Sequence, residues 1–460
     1  MTTPDTSSLR SVYFIGAGGI GMSALVRYFL QKGYAVGGYD KTPTELTARL
    51  QAEGAQLHFE ESVEAIPSCF REKATTMVVY TPAIPAEHAE LAYFRREGFR
   101  VLKRAEVLGW ITRQERGLCV AGTHGKTTTS TMAAHILHAS HVGCNAFLGG
   151  ISKNYGTNCL LSPSSPWAVI EADEFDRSFH HLRPYASVIT SADADHLDIY
   201  GTEEAYLESF AHYTSLISHM LILHEGLRVQ PRVGEGVQLR TYGRETGDYH
   251  AADIRTGGGE IIFDFVSPSG RVKDVQLGVP VRINVENAVA AMALAQLAGA
   301  TDEELREGIR TFAGVDRRFD VKVKTDQVVF LSDYGHHPAE IEQCIRSVRE
   351  LYAGKKIAAI FQPHLYSRTR DFYKDFARSL SLLDAVYLCP VYPAREQPIE
   401  GVTSRLIYDQ LPASMERHLI RKEDIPQVAR ARQFDVLISL GAGDVEDYVP
   451  EVTRILSSLS

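Results

Sequence analysis

The sequence predicts an α/β protein of three domains, each built on parallel strands with helices between them. Three observations carry this expectation. Short apolar runs alternate with helix-compatible stretches from end to end. The glycine-rich and acidic loops fall just after the apolar runs, where open parallel sheets place ligands. A length of 460 residues suits about three domains. The expected boundaries are 1–108, 109–315 and 316–460.

The bulk numbers fit a globular chain. Apolar residues make up 44 % and charged residues 23 %. The net charge of −9 gives no reason to expect nucleic acid or an anionic membrane as partner. Cys69, Cys119, Cys144, Cys159, Cys344 and Cys389 are widely spaced with no CxxC pair, so free thiols in a reducing compartment are expected. The first ten residues are polar, without the apolar core of a secretory leader. No uncharged apolar stretch reaches membrane-spanning length. A cytoplasmic address is the expectation.

Residues 12–15 form a β run followed by Gly16-Ala17-Gly18-Gly19-Ile20-Gly21, then a helix pattern over 22–32. A second strand over 34–39 closes on Asp40. This βαβ opening puts an acidic residue about 20 positions beyond a glycine loop, and the following helix N-terminus suits a phosphate or diphosphate. Further strands are expected over 76–80 and 99–102, with Arg104 and Glu106 just beyond and a short helix over 107–113.

The second region centres on residues 117–130. The apolar run 118–121 leads into Gly122-Thr123-His124-Gly125-Lys126-Thr127-Thr128, and a helix-compatible segment follows over 130–138. Strand, glycine loop, Lys-Thr and helix is the order of a phosphate-binding loop. Its amides face phosphate oxygens, Lys126 reaches the terminal phosphates and the Thr127 hydroxyl meets Mg²⁺. The strict pattern wants glycine at 120, where this chain has Val120. His124 either shapes the loop or binds phosphate. Downstream come a strand over 146–151, a turn at the glycine pair and a polar loop over 152–158. A strand over 167–170 ends in Glu171-Ala172-Asp173-Glu174, and one over 186–190 ends near Asp193, Asp195 and His196. Glu171 and His196, both past buried strands and downstream of Lys126-Thr127, are the candidate Mg²⁺ ligands. Residues 229–283 read as short antiparallel strands, and 284–298 as an alanine-rich helix.

The third region predicts strands over 328–331, 356–361, 385–388 and 436–440, with helices over 338–352 and 370–382. Three polar loops mark its strand ends: 332–338, 362–370 and 441–444. His336-His337 lacks a third ligand at zinc spacing.

With these pieces placed, the chain resembles the Mur ligase family, the ATP-dependent amide-bond ligases of peptidoglycan precursor synthesis. The stretches that carry it are Gly-Ala-Gly-Gly-Ile-Gly-Met-Ser (16–23), Ala-Gly-Thr-His-Gly-Lys-Thr-Thr-Thr (121–129), Glu-Ala-Asp-Glu (171–174), Ala-Asp-His-Leu-Asp (194–198), Val-Asp-Arg-Arg-Phe (315–319), Asp-Tyr-Gly-His-His-Pro (333–338) and Gln-Pro-His with Arg-Thr-Arg-Asp (362–371). The family's own loop accounts for Val120. The resemblance implies a Rossmann-like N-terminal domain for the UDP-substrate, a P-loop ATPase-like central domain, and a Rossmann-like C-terminal domain that closes over ATP and brings the amino acid. It implies ATP and Mg²⁺ as cofactors, UDP-N-acetylmuramate and L-alanine as substrates, and a monomer or weak homodimer.

Carried over residue by residue, Gly122 to Thr128 cradle ATP, with Lys126 on its phosphates. Thr127 and Glu171 hold one Mg²⁺, and His196 serves a second. Asn287 takes the adenine side, and Arg318 and Asp333 approach ATP. Gly18, Gly19, Ile20, Gly21, Asp40, His58 and Arg104 serve the UDP-substrate. Tyr334, His336 and Arg368 serve the amino acid, with His336 also a candidate base. Three departures stand out. Position 365 is Leu where the family carries a second arginine, Leu57 precedes His58 where the family has glycine, and residues 197–218 contain no lysine to carry the carbamate found in several members. The competing readings are a recycling ligase that adds a tripeptide to the same UDP-sugar, against which the Tyr334-Gly335 pair counts, a nicotinamide-dependent oxidoreductase suggested by the first βαβ unit alone, and a non-catalytic nucleotide-binding regulator.

Overall fold

The computed structural model describes residues 8–81, 83–195, 197–257, 260–394 and 396–458. Contacts divide the chain into two units. One comprises Met1–Arg255, Ile262–Gly278 and Glu286–Phe312, and the other Thr256–Ile261, Val279–Val285 and Ala313–Ser460.

The first unit opens with β1 (Ser11–Ile15), β2 (Ala35–Tyr39), β3 (Gln56–His58), β4 (Thr76–Tyr80) and β5 (Arg100–Lys103). They form a parallel sheet in the order β3-β2-β1-β4-β5. The order reverses at β1, so the crevice at its carboxyl end receives the glycine loop. Next come β6 (Arg116–Ala121), β7 (Asn145–Ser152), β8 (Thr157–Leu160), β9 (Trp167–Ala172), β10 (Ala186–Ile189), β11 (Met220–His224) and β12 (Gln238–Tyr242). Their order is β12-β11-β10-β6-β9-β7-β8. β6 lies between β9 and β10, both parallel to it. A central parallel strand is covered on both faces, which is why Leu118, Cys119, Val120 and Ala121 are all fully buried. One apolar core runs through both sheets, from Val12, Phe14 and Phe29 to Cys119, Ile170 and Phe210.

β13 (His250–Gly257), β14 (Glu260–Ser267) and β15 (Gly270–Gln276) make a small sheet, β14 and β15 antiparallel. The second unit is built on β16 (Asp320–Lys324), β17 (Val329–Asp333), β18 (Ile357–Phe361), β19 (Ala385–Leu388), β20 (Glu416–Leu419) and β21 (Val436–Leu440). Their order is β16-β17-β21-β18-β19-β20, with only β16 antiparallel. Apolar cores cover both faces of this sheet.

Several elements differ from the sequence reading. Gly149-Gly150 is no turn but lies inside β7. The helix after β5 begins at Arg104 rather than three residues later. β12 joins the large sheet in parallel instead of the antiparallel set. β8 and β11 are additions, β11 despite its apolar run, and so are the edge strands β3, β16 and β20; these three are short and partly exposed, so they lack the continuous apolar runs that reveal central strands. Among the described residues no helix is long and apolar enough to cross a membrane.

Candidate active site

The loop after β6 enters the helix Lys126–Ala139 through Gly125, the N-cap, in a left-handed conformation at φ 80°. Gly122 is also left-handed, at φ 137°, and a Cβ there would stand 2.1 Å from Thr190 Oγ1. Both positions therefore need glycine. The residues after β10 brace the loop. His124 N donates to Ser191 Oγ at 2.7 Å, Thr190 Oγ1 donates to His124 O at 2.5 Å, and Thr123 Oγ1 donates to Asp193 O at 2.8 Å. Thr128 follows in the first turn of that helix, which has no acidic residue. A braced glycine loop on a helix N-terminus is a fixed anion cradle. The His124 ring lies 3.6 Å from Asp193 Oδ2, so both its backbone and its side chain face the bracing segment.

Lys126 Nζ donates to Gly122 O at 2.5 Å and to Glu174 Oε1 at 3.0 Å, with Glu174 Oε2 at 2.7 Å. Burial works against the lysine's charge, but the carboxylates of Glu174, Asp173 and Glu171 outweigh it and raise its pKa. Glu174 is 1 % exposed. Burial lifts its carboxyl to about 7 while Lys126 pulls it down. Glu174 was not singled out as a site residue from the sequence, although it ends the Glu-Ala-Asp-Glu stretch at 171–174.

Glu171 closes β9 beside the loop, and its Oε2 accepts from Gly149 N at 3.0 Å. A Cβ on Gly149 would meet that carboxylate at 2.3 to 2.5 Å, which is why glycine interrupts β7 here. Thr127 is 7 % exposed in the first turn of the loop helix. A hydroxyl and a carboxylate beside a phosphate cradle suit Mg²⁺, which takes few protein oxygens and fills its shell with phosphate and water. Among the described residues no three His, Cys, Asp or Glu side chains gather as a metal cage. His196 lies outside the described residues. On the other side, Asn287 Oδ1 accepts from Thr129 Oγ1 at 3.2 Å and stands 3.0 Å from where a Gly125 Cβ would be.

At the first sheet, Gly18 N donates to Asp40 Oδ2 at 2.6 Å, so Asp40 fastens the glycine loop to the end of β2. Gly19 caps the helix Ile20–Gln31, whose first turn carries no acid, and Ile20 is 54 % exposed. Arg104 Nε donates to Gly21 O at 3.1 Å, and a Gly21 Cβ would sit 2.5 Å from that nitrogen. Burial lowers the Arg104 pKa, and Asp173 and Glu171 oppose that shift, which places this cation in the field of those two carboxylates. His58 is placed differently. Its Nε2 lies 2.6 Å from Tyr13 Oη and its Nδ1 2.9 Å from Glu60 O. Tyr13 in turn donates to the fully buried Glu90 at 2.7 Å. Both ring nitrogens are engaged within the domain, and burial lowers the ring's pKa.

The second unit gathers its expected residues at the ends of β17 and β18. Asp333 accepts from Phe319 N and Gly335 N, each at 2.7 Å. Burial raises its pKa and Arg318 opposes the rise. The Tyr334 ring carries two guanidinium groups, Arg317 at 4.7 Å and Arg318 at 5.1 Å. The His336 ring lies 5.2 Å from Tyr334 and 5.8 Å from His364. His336 Nδ1 is 3.1 Å from Tyr334 O. Arg368, 7 % exposed, stands in the first turn of the helix Tyr366–Leu380. Burial and then the Arg368 charge hold His364 down to about 4. Leu365 caps that helix at φ 71°, a sparsely populated conformation that costs on the order of 1–3 kcal/mol. Glu396 accepts from Ser367 N at 3.0 Å, an anion at the helix start that was missed because nothing in its spacing links it to residue 367.

A lysine-bearing phosphate cradle with a carboxylate beside it, on a parallel sheet, defines a nucleotide-phosphate-handling enzyme. The chain belongs to the Mur ligase family: residues 11–116 match its catalytic domain, 120–295 the Mur ligase middle domain and 317–444 the Mur ligase, glutamate ligase domain. Within the family it is similar to UDP-N-acetylmuramate–L-alanine ligases. That of Phocaeicola vulgatus is 65 % identical over 98 % of this chain and 99 % of its own, and that of Porphyromonas gingivalis W83 is 56 % identical over 98 % and 100 %. The crystal structure of the UDP-N-acetylmuramate-alanine ligase MurC from Thermotoga maritima superposes with a TM-score of 0.76 at 26 % identity, covering 98 % of both chains. A murein peptide ligase from Psychrobacter arcticus shares the fold at 20 % identity, with a TM-score of 0.66 over 98 % and 99 %.

Proposed function

We propose that this chain is an ATP-dependent ligase that joins L-alanine to the lactyl carboxylate of UDP-N-acetylmuramate, in peptidoglycan precursor synthesis. The observation that carries the reading is the 65 % identity, over nearly the whole of both chains, to a ligase of that name. Residues 1–108 hold the UDP-substrate, 109–315 hold ATP and 316–460 hold the amino acid. A soluble UDP-sugar substrate suits an enzyme of the cytoplasm, and the oligomeric state proposed is a monomer or weak homodimer.

The chemistry follows from the parts. A carboxylate does not react with an amine at neutral pH because its leaving group is poor. A lactyl oxygen attacks the γ-phosphorus of ATP, the bond to the β-phosphate oxygen breaks, and ADP leaves. Lys126 turns from Glu174 to the phosphates and offsets charge as two anions meet, while the loop amides hold the phosphate chain in line. Thr127 and Glu171, with His196, would hold Mg²⁺, which supplies further charge neutralisation there. The alanine nitrogen then attacks the acyl phosphate carbonyl, and phosphate departs. With His336 Nδ1 donating to the Tyr334 carbonyl, Nε2 is the nitrogen that takes the amine proton. Arg368 takes the alanine carboxylate. Leu365 leaves it without a second arginine.

The test is amino-acid competition. Alanine, glycine, serine and the recycled tripeptide are offered together with UDP-N-acetylmuramate and ATP, and alanine is expected to dominate the product. Preferential use of the tripeptide would replace this reading with the recycling ligase.

A further inference from the structure

Lys126, Glu174 and Glu171 all stand on the β9 side of the phosphate loop. The sheet continues on the opposite side through β10, β11 and β12. A nucleotide with its terminal phosphate at Lys126 therefore extends its nucleoside toward β10–β12, the side that Asn287 borders against Gly125 and Thr129. Three charged side chains meet at the ends of those strands. Glu286 Oε1 pairs with Arg244 at 2.6 Å and Oε2 with His224 Nε2 at 3.4 Å. Glu286 directly precedes Asn287, His224 ends β11, and Arg244 lies two residues beyond β12. The His224 ring sits edge-on to Tyr242 at 5.1 Å. The three side chains are 17 to 33 % exposed, so solvent and a ligand reach them.

We propose that Glu286, clamped by His224 and Arg244, is a specificity residue for the nucleoside and accepts hydrogen bonds from the ribose hydroxyls of the bound nucleotide. This rests on the reading of the loop as an ATP site. The clamp keeps Glu286 ionised: burial raises its pKa, but His224 and Arg244 lower it further. An ionised carboxylate only accepts, and each oxygen has a second lone-pair direction beyond the one its cation uses. A vicinal diol offers two donors at matching spacing. An acidic side chain on ribose hydroxyls is a recurrent solution at nucleotide sites in parallel sheets. A cluster that only fastened the helix Ile283–Ala298 to the sheet would be indifferent to the sugar.

The experiment uses the full chain with Mg²⁺ and measures binding of ATP, 2′-deoxy-ATP and 3′-deoxy-ATP by calorimetry. The native protein is expected to bind each deoxy analogue at least about tenfold more weakly than ATP, the scale of a lost hydrogen bond to a charged group. Glu286→Gln is expected to bind all three within about threefold of one another. Equal affinity of the native protein for ATP and both analogues overturns the proposal, and that comparison decides alone if the variant does not fold. A folded variant that keeps the native discrimination also overturns it, whatever its absolute affinity. Failure of the native protein to bind any of the three strikes the ATP reading itself, a different result from binding without discrimination.

Discussion

The Lys126–Glu174 pair makes a quantitative prediction. Glu174→Gln keeps the shape of the side chain and removes its titration. In the folded protein burial raises the Glu174 carboxyl from 4.5 to about 7. Between those values the folded state holds a proton that the unfolded chain has released. Rising pH therefore favours unfolding, and the stability present below about 4.5 is lost as pH passes through about 7. At about 1.4 kcal/mol per unit the loss is about 3 kcal/mol. Lys126 titrates far above this window, and Glu90, also lifted to about 7 by burial, is common to both proteins. The difference between native protein and variant thus isolates Glu174. Urea unfolding followed by tryptophan fluorescence reads it, because Trp110 and Trp167, the only two tryptophans, are buried in the same unit. The native protein should lose about 2–3 kcal/mol relative to the variant from pH 5 to 8. A difference that stays flat across this range refutes the burial-raised carboxyl and means that Lys126 offsets the cost of burying it. The same pair predicts a binding signature: when ATP phosphates take Lys126, Glu174 loses its cation and its pKa rises further. ATP binding at pH 8 should then take up a proton, seen as a dependence of binding enthalpy on buffer ionisation enthalpy.

Lys126→Ala should cut turnover at least about a hundredfold while the protein stays folded, since a preorganised charge on the transferring group is lost; near-native turnover would remove Lys126 from the mechanism. Gly149→Ala should raise the Mg²⁺ concentration needed for half-maximal activity several-fold, because the new Cβ would meet the Glu171 carboxylate at 2.3 to 2.5 Å; an unchanged titration would separate Glu171 from the metal. Arg368→Lys should raise KM for alanine about tenfold and leave KM for ATP unchanged, since a point charge replaces a planar fork; the reverse pattern would move Arg368 to the nucleotide.

The sequence showed what depends on continuous apolar runs and fixed local spacing. The central strands β1, β6, β18 and β21 and the loop at 122–127 are of this kind. Short, half-exposed β3, β16 and β20 escaped because their polarity follows neighbours that spacing does not reveal. Gly149-Gly150 read as a turn because glycine usually marks one, whereas here its missing Cβ admits a carboxylate from β9. Tertiary partners were the least legible. The Lys126–Glu174 ion pair, the Glu396 cap on Ser367 and the Glu286 clamp each join residues far apart in the chain. His58 belongs with them: the resemblance singled out the residue, while its partners Tyr13 and Glu90 were not legible in the sequence.

The most direct measurement of the central claim is product stoichiometry with purified protein, UDP-N-acetylmuramate, L-alanine, ATP and Mg²⁺. The account predicts one ADP and one phosphate for each amide formed, with phosphate release requiring both the UDP-sugar and alanine for sustained turnover. Phosphate release no higher than in the absence of UDP-N-acetylmuramate, with no amide product, would contradict it.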